Sequence, residues 1–111
     1  MNLVTEITQD ETSITTAVDG GKLIIRINGT LNSLIRDEFR KLYHDTPLHR
    51  EYELILENTD FIDSSGLGML IALYGRTKAV DNNIGLKITG CSAALKQILT
   101  MSKFENFFEI L

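Results

Sequence analysis

The chain has 111 residues, 43% apolar and 23% charged, which is enough for one domain with one core and too few for two ordinary domains. Its net charge is −4 and its basic residues are scattered from Lys22 to Lys103, so the basic, aromatic-interleaved cluster of a nucleic-acid binder is missing. A single cysteine, Cys91, excludes an internal disulfide and a cysteine-based metal cluster, and nothing in the sequence calls for a metal or a cofactor. No basic segment leads into an apolar core at the N-terminus, and the longest apolar run falls far short of the ~20 residues of a membrane helix. The expectation is a cytoplasmic protein.

Residues 1–11 alternate weakly and read as either an edge strand or a loose arm. Residues 13–18 place Ile14, Thr16 and Val18 on one face of a strand. Asp19-Gly20-Gly21 then predicts a hairpin turn, because glycine accepts the positive φ that tight hairpins require. The return strand over 22–27 is nearly continuous in apolar residues, which predicts cover on both faces. Asn28-Gly29-Thr30 ends it.

Leu31, Leu34, Ile35, Phe39, Leu42 and Tyr43 recur at helical spacing, with Thr30 or Asn32 as the cap and Thr46-Pro47 as the stop. His44 and His49 fall at this exit and read as exposed loop residues. A strand over 51–57 follows, and strand, helix, strand in that order predicts a right-handed crossover and parallel pairing. The stretch 60–68 is a strand-to-helix turn with two hydroxyls at the helix start. The helix after it, from Ser64 or Ser65 to Ala79, is apolar nearly all round, so it is either largely buried or offers an apolar face to a partner. A strand over 84–89 comes next, then a helix capped by Ser92. The aromatic residues Phe104, Phe107 and Phe108 precede a last short strand. The fold class is α/β: one domain spanning residues 1–111, with a mixed, mainly parallel sheet of four to five strands and helices packed against it.

The turn at 60–68 admits several chemistries. A nucleophile elbow needs glycine two residues before and after the serine, but Ile62 precedes Ser64 and no histidine follows His49 to serve as its base. A nucleotide-binding or hydrolytic domain using Ser64 is therefore a poor fit. Gly66-Leu67-Gly68 lacks the Lys-Ser or Lys-Thr ending of a P-loop and the third glycine of the dinucleotide fingerprint. Asp60 and Asp63 could hold Mg²⁺ or take a phosphoryl group, but the simpler reading has Asp60 shaping a turn and Asp63 capping the helix. A serine at an exposed helix start can also be a regulatory phosphorylation site. A phosphoryl group there adds roughly −1.5 to −2 charges, which the helix dipole tolerates and a docked partner does not.

The string Phe61-Ile62-Asp63-Ser64-Ser65-Gly66-Leu67-Gly68-Met69-Leu70 resembles the signature of STAS domains, specifically the bacterial anti-sigma factor antagonists. The element order from residue 13 onward matches as well, as do the helix at 92–99 and the segment at 101–107. The resemblance implies a phosphorylation-switched binding protein and not an enzyme. Unphosphorylated, it binds an anti-sigma factor that is also a serine kinase of histidine-kinase-like ATPase fold, and so frees a sigma factor. Phosphorylation releases it, and a serine phosphatase restores it. The phosphorylated serine of the family falls on Ser64. Asp63, Ser65, Gly66 and Leu67 map around it in the docking surface. A neighbouring loop, often Gly-Glu-Leu-Asp in the family, here reads Gly29-Thr30-Leu31-Asn32, so Thr30 and Asn32 stand where the family has acids. The resemblance also implies a second setting, as a STAS subunit of a membrane-associated lipid or anion transport complex.

Overall fold

In the computed structural model, Thr12–Asp19 (β2) and Lys22–Leu31 (β3) form an antiparallel hairpin closed by Gly20, whose φ of 64° is the left-handed conformation that the Asp-Gly-Gly turn anticipates. The structure describes residues 4–9 and 12–111, the first segment by backbone alone. Val4–Gln9 (β1) lies antiparallel on β2 at one edge of the sheet. Glu51–Ile62 (β4), Gly85–Thr89 (β5) and Glu109–Ile110 (β6) then add in sequence order, each parallel to the strand before it. The mixed, mainly parallel α/β arrangement is the expected one. The peripheral β1 and the two-residue β6 bring the sheet to six strands.

Arg36–Lys41 (α1), Ser64–Val80 (α2) and Ala93–Met101 (α3) make the three connections between the parallel strands. Right-handed crossovers that always step in one direction place every helix on the same face of the sheet. The burial pattern follows from this. Leu23, Ile25 and Ile27 of β3 are buried with Tyr52, Leu54 and Leu56 of β4, and with Leu86 and Ile88 of β5. Their neighbours in sequence are not. The sequence-based expectation that β3 is covered on both faces is therefore corrected: Ile24 and Arg26 lie on an open face.

That open face carries charged pairs in place of a second helical layer. Lys22 Nζ contacts Glu53 Oε1 at 3.0 Å, Lys87 Nζ contacts Glu51 Oε2 at 3.0 Å, and Arg26 pairs with Glu57. Side-chain amides continue the pattern, with Asn58 donating to Asn28 and Asn28 to Ser13 across three strands. The hydrogen bond from Lys22, with a further one from the Thr89 hydroxyl, holds the Glu53 carboxyl below its usual range against the opposing cost of burial. A carboxylate whose folded pKa is depressed contributes stability that is present above the unfolded value, about 4.3, and is lost as pH falls through the folded value. Glu53→Gln should therefore flatten the acid limb of a stability-versus-pH curve below about pH 4, measured by urea unfolding at stepped pH.

Two bulges on β4 shape its far end. Arg26 pairs with Ile55 and Asn28 with Asn58; further on, Gly29 pairs with Thr59 and Thr30 with Phe61. In each step β4 advances one residue more than β3. The first bulge flips the buried phase to Thr59, and the second flips it back to Ile62. The Thr59 hydroxyl donates to the Ile27 carbonyl at 2.8 Å, which satisfies an acceptor in the disturbed ladder. These bulges explain why the period-two pattern stops at Glu57 while the strand runs to Ile62. They also place Asp60 within an exposed strand end and not in a turn.

The first helix is shorter than its apolar pattern predicts. Leu31 belongs to β3, Ser33–Ile35 is a 3-10 turn capped by Asn32, and α1 ends at Lys41. Ile35, Phe39 and Tyr43 reach the core, whereas Leu34 is 47% exposed. At the other end of the chain, Phe107 packs edge-on to Tyr74 of α2 at 4.9 Å between ring centres and also touches Phe104, locking the C-terminal segment onto α2. Among the described residues, no helix is long and apolar enough to cross a membrane.

Candidate functional site

Parallel strands β3 and β4 are neighbours, so their C-terminal ends open side by side. In open α/β sheets ligands bind beyond this end of the strands. Leu31 pairs with Ile62, and each strand turns at once into a helical segment, the first capped by Asn32 and the second by Asp63. The Asp63 N–H donates to the Leu31 carbonyl at 3.3 Å and ties the two turns together.

The cap chemistry is local. Asn32 is extended and its Oδ1 accepts from the Leu34 N–H at 3.0 Å. Asp63 is extended and its Oδ1 accepts from the Gly66 N–H at 2.8 Å, satisfying one of the donors that a helix start leaves free. The Asp63 carboxylate also lies at the positive end of the dipole of α2. Replacing it by alanine should cost about 1 kcal/mol, read as a lower urea midpoint with an unchanged slope.

The seven residues singled out from the sequence occupy distinct places around these turns. Ser64 is exposed at the first position of α2, and Asp63 and Ser65 on either side are half-buried. Leu67 is half-buried and packs against the core. Thr30 sits in β3 opposite Phe61, and its carbonyl accepts from the Thr12 hydroxyl at 2.8 Å. Asn32 is half-buried at the cap position. Gly66 is buried, with no surface for a partner to touch. A Cβ at that position would overlap the Leu31 carbonyl oxygen and stand 2.9 Å from Ile62 Cγ2. Gly66 is therefore a positioning residue: its missing side chain lets the first turn of α2 close onto the end of β3.

The exposed surface around Ser64 is partly apolar. Phe61 is 50% exposed just before the turn, and Leu34 flanks the Asn32 cap. In the sequence Phe61 is only the first residue of the signature string; the second bulge is what turns it outward. The two histidines lie at the opposite end of the sheet, before β4 begins, with the full length of that strand between His49 and Asp63. His44 contacts Arg40 and Asp45, and the His49 ring packs edge-on to Tyr52. No base is thus placed beside Ser64 by either histidine. Among the described residues, no cluster of three or more His, Cys, Asp or Glu could hold a metal ion.

A family model described as STAS domain matches residues 13–111. A STAS-domain containing protein of Pseudomonas aeruginosa is 35% identical over 95 residues, covering 85% of this chain and 92% of that protein. Among solved structures, a putative anti-sigma factor antagonist from Thermotoga maritima superposes with a TM-score of 0.74 at 17% identity, over 86% of this chain and 82% of the other. A sulfate transporter family protein from Wolinella succinogenes superposes with a TM-score of 0.70 at 20% identity, over 80% and 72% of the two chains. These two likenesses establish a shared fold.

Proposed function

The chain belongs to the STAS-domain family, and from that premise we propose that it is an anti-sigma factor antagonist whose binding is switched by phosphorylation of Ser64. The observation that carries this reading is the asymmetry of the two serines: Ser64 is exposed at the start of α2, and Ser65 is half-buried beside it. Ser64 is a substrate in this account. The protein is a binding partner and not an enzyme, and it acts in the cytoplasm.

Unphosphorylated, the protein docks through Asp63, Ser64, Ser65 and the adjoining Thr30–Asn32 turn onto an anti-sigma factor with a histidine-kinase-like ATPase fold. That partner transfers a phosphoryl group to the Ser64 hydroxyl. The free N–H groups and dipole at the start of α2 stabilise the added charge, so the domain itself stays folded. The docked partner instead meets a dianion beside the Asp63 carboxylate, in a contact where like charges are costly to bury, and the complex dissociates. A serine phosphatase resets the cycle. Gly66 and Leu67 act from below by fixing the turn that presents Ser64. With Thr30 and Asn32 in place of the family's acids, the second half of the surface carries less negative charge, so the matching face of the partner is correspondingly less basic.

A second reading rests on the fold shared with a sulfate transporter family protein: a STAS subunit held by protein contacts in a membrane-associated transport complex. Copurification of the tagged protein from its native cells separates the two. The first reading expects a soluble ATPase-type kinase in stoichiometric amount. Recovery of a transporter ATPase with its membrane subunits, and no such kinase, overturns it in favour of the second.

A further inference from the structure

Helices α1 and α2 leave a depression in the surface where they meet. Between them runs a groove of about 280 Å³ that begins at Ser65 and follows α2 away from the turn. At its bottom only the edges of the core residues Phe39, Tyr43 and Met69 come to the surface, none of them more than 5% exposed. Its α2 wall is made of the small residues Ser65, Gly68 and Ala72. Arg36 and Arg40 stand on the α1 side, both exposed.

Two features of this groove are not accounted for by packing within the chain. The first is the wall. Gly68 lies in the interior of α2 and is exposed, and a Cβ added there would meet nothing within 4 Å. Gly75, two turns further along the same helix, is likewise exposed with nothing within 4 Å. Glycine weakens a helix interior, and here no internal close approach requires it, unlike Gly66. Small residues let another backbone come close. The second feature is charge. Among the described residues the Arg36 side chain has no hydrogen-bond or ion-pair partner, its backbone N–H alone bonding to the Ser33 carbonyl, and Arg40 donates to His44 Nε2 at 2.9 Å without a carboxylate. Two guanidiniums unpaired with acid, on the edge of an apolar groove in a chain of net charge −4, are complementary to an acidic ligand.

We infer that this groove is a docking site for an acidic amphipathic helix of a partner protein. The backbone of that helix passes close over the exposed Gly68 and Ala72, a small aliphatic side chain enters the groove beside them above the edges of Tyr43 and Met69, and its Asp or Glu side chains take Arg36 and Arg40 through paired hydrogen bonds. A helix fits better than an extended segment because the small residues recur along α2 at helical spacing, so a second rod can lie along them. The inference stands on the groove's own residues and does not require Ser64 to be phosphorylated.

The test uses the intact ¹⁵N-labelled chain and a synthetic helical peptide with leucine at i, i+3 and i+7 flanked by glutamate, alongside the same peptide with glutamine at every glutamate. The expected result is saturable amide shifts confined to residues 65–75 and 36–43, with affinity at least tenfold weaker for the glutamine peptide. The R36E/R40E variant should lose the glutamate peptide's shifts. Gly68→Leu, which fills the wall without touching the charges, should lose them too while keeping the chain's dispersed spectrum. Failure of the glutamate peptide to shift these amides at millimolar concentration, equal binding of both peptides, or shifts centred elsewhere would overturn the proposal. Concentration-dependent shifts of the same amides without peptide, with a dimer mass by sedimentation, would also overturn it by making a second copy of the chain the occupant.

Discussion

Gly66→Ala should unfold this protein readily, losing about 3 kcal/mol or more of stability and roughly 12 °C or more of melting temperature. The cause is steric. Any Cβ at position 66 runs into the Leu31 carbonyl oxygen, which belongs to the backbone of β3 and cannot rotate away. Ile62 Cγ2 blocks the other side. Relief requires α2 to lift from the sheet, which would break the Asp63–Leu31 hydrogen bond and expose the buried Met69, Leu70 and Leu73. Gly68→Ala is the matched control. It stands two residues along the same helix, exposed, with open space where its Cβ would go. It should gain about 0.5–1 kcal/mol from helix propensity and a stiffer unfolded chain. Urea titrations of the two variants beside the parent check both signs. A Gly66→Ala protein that melts with the parent would mean that α2 does not seat on β3 as described.

The second large effect concerns binding. Ser64→Asp should lower affinity for the anti-sigma partner by about 100-fold, equivalent to about 2.7 kcal/mol, while its melting temperature stays within a few degrees of the parent. The exposed hydroxyl makes no packing contact whose loss would unfold the chain, and a carboxylate at the start of α2 suits the helix dipole. At a docked interface the same carboxylate is a desolvated charge beside Asp63. Titration calorimetry against the copurified partner reads the affinity, and a thermal melt reads the fold. Ser64→Asp binding at parental strength would remove the electrostatic basis of the switch.

These effects were unequally legible in the sequence. The hairpin at Asp19-Gly20-Gly21, the alternation of β5 and the caps at Asp63 and Ser92 could be read directly, because each depends on residues adjacent in the chain; the first helix left Thr30 and Asn32 open as its cap, and the structure puts Thr30 in β3 and the cap on Asn32. The far end of β4 could not. Asn58-Thr59-Asp60 is loop-like in composition, and its bulges exist only relative to the register of β3. The near-continuous apolar run of β3 pointed to two covered faces, whereas crossover geometry leaves one open, where Ile24 and Ile55 share space with charged pairs. Around Ser64 the sequence placed the turn and, through the family resemblance, ranked the serines. It did not distinguish Gly66 from Gly68. One sits against a carbonyl from a strand more than thirty residues earlier, the other faces solvent, and no local pattern encodes that difference.

In the proposed switch Ser64 alone receives the phosphoryl group. This is tested most directly by incubating the purified chain with its copurified ATPase-type partner and ATP, then mapping phosphate by fragment mass spectrometry on the parent, Ser64→Ala and Ser65→Ala proteins. The expected result is one phosphate on the parent, located on Ser64, none on Ser64→Ala, and continued labelling at Ser64 in Ser65→Ala. Phosphate that persists on Ser64→Ala, or that maps to any other residue of the parent, would contradict it.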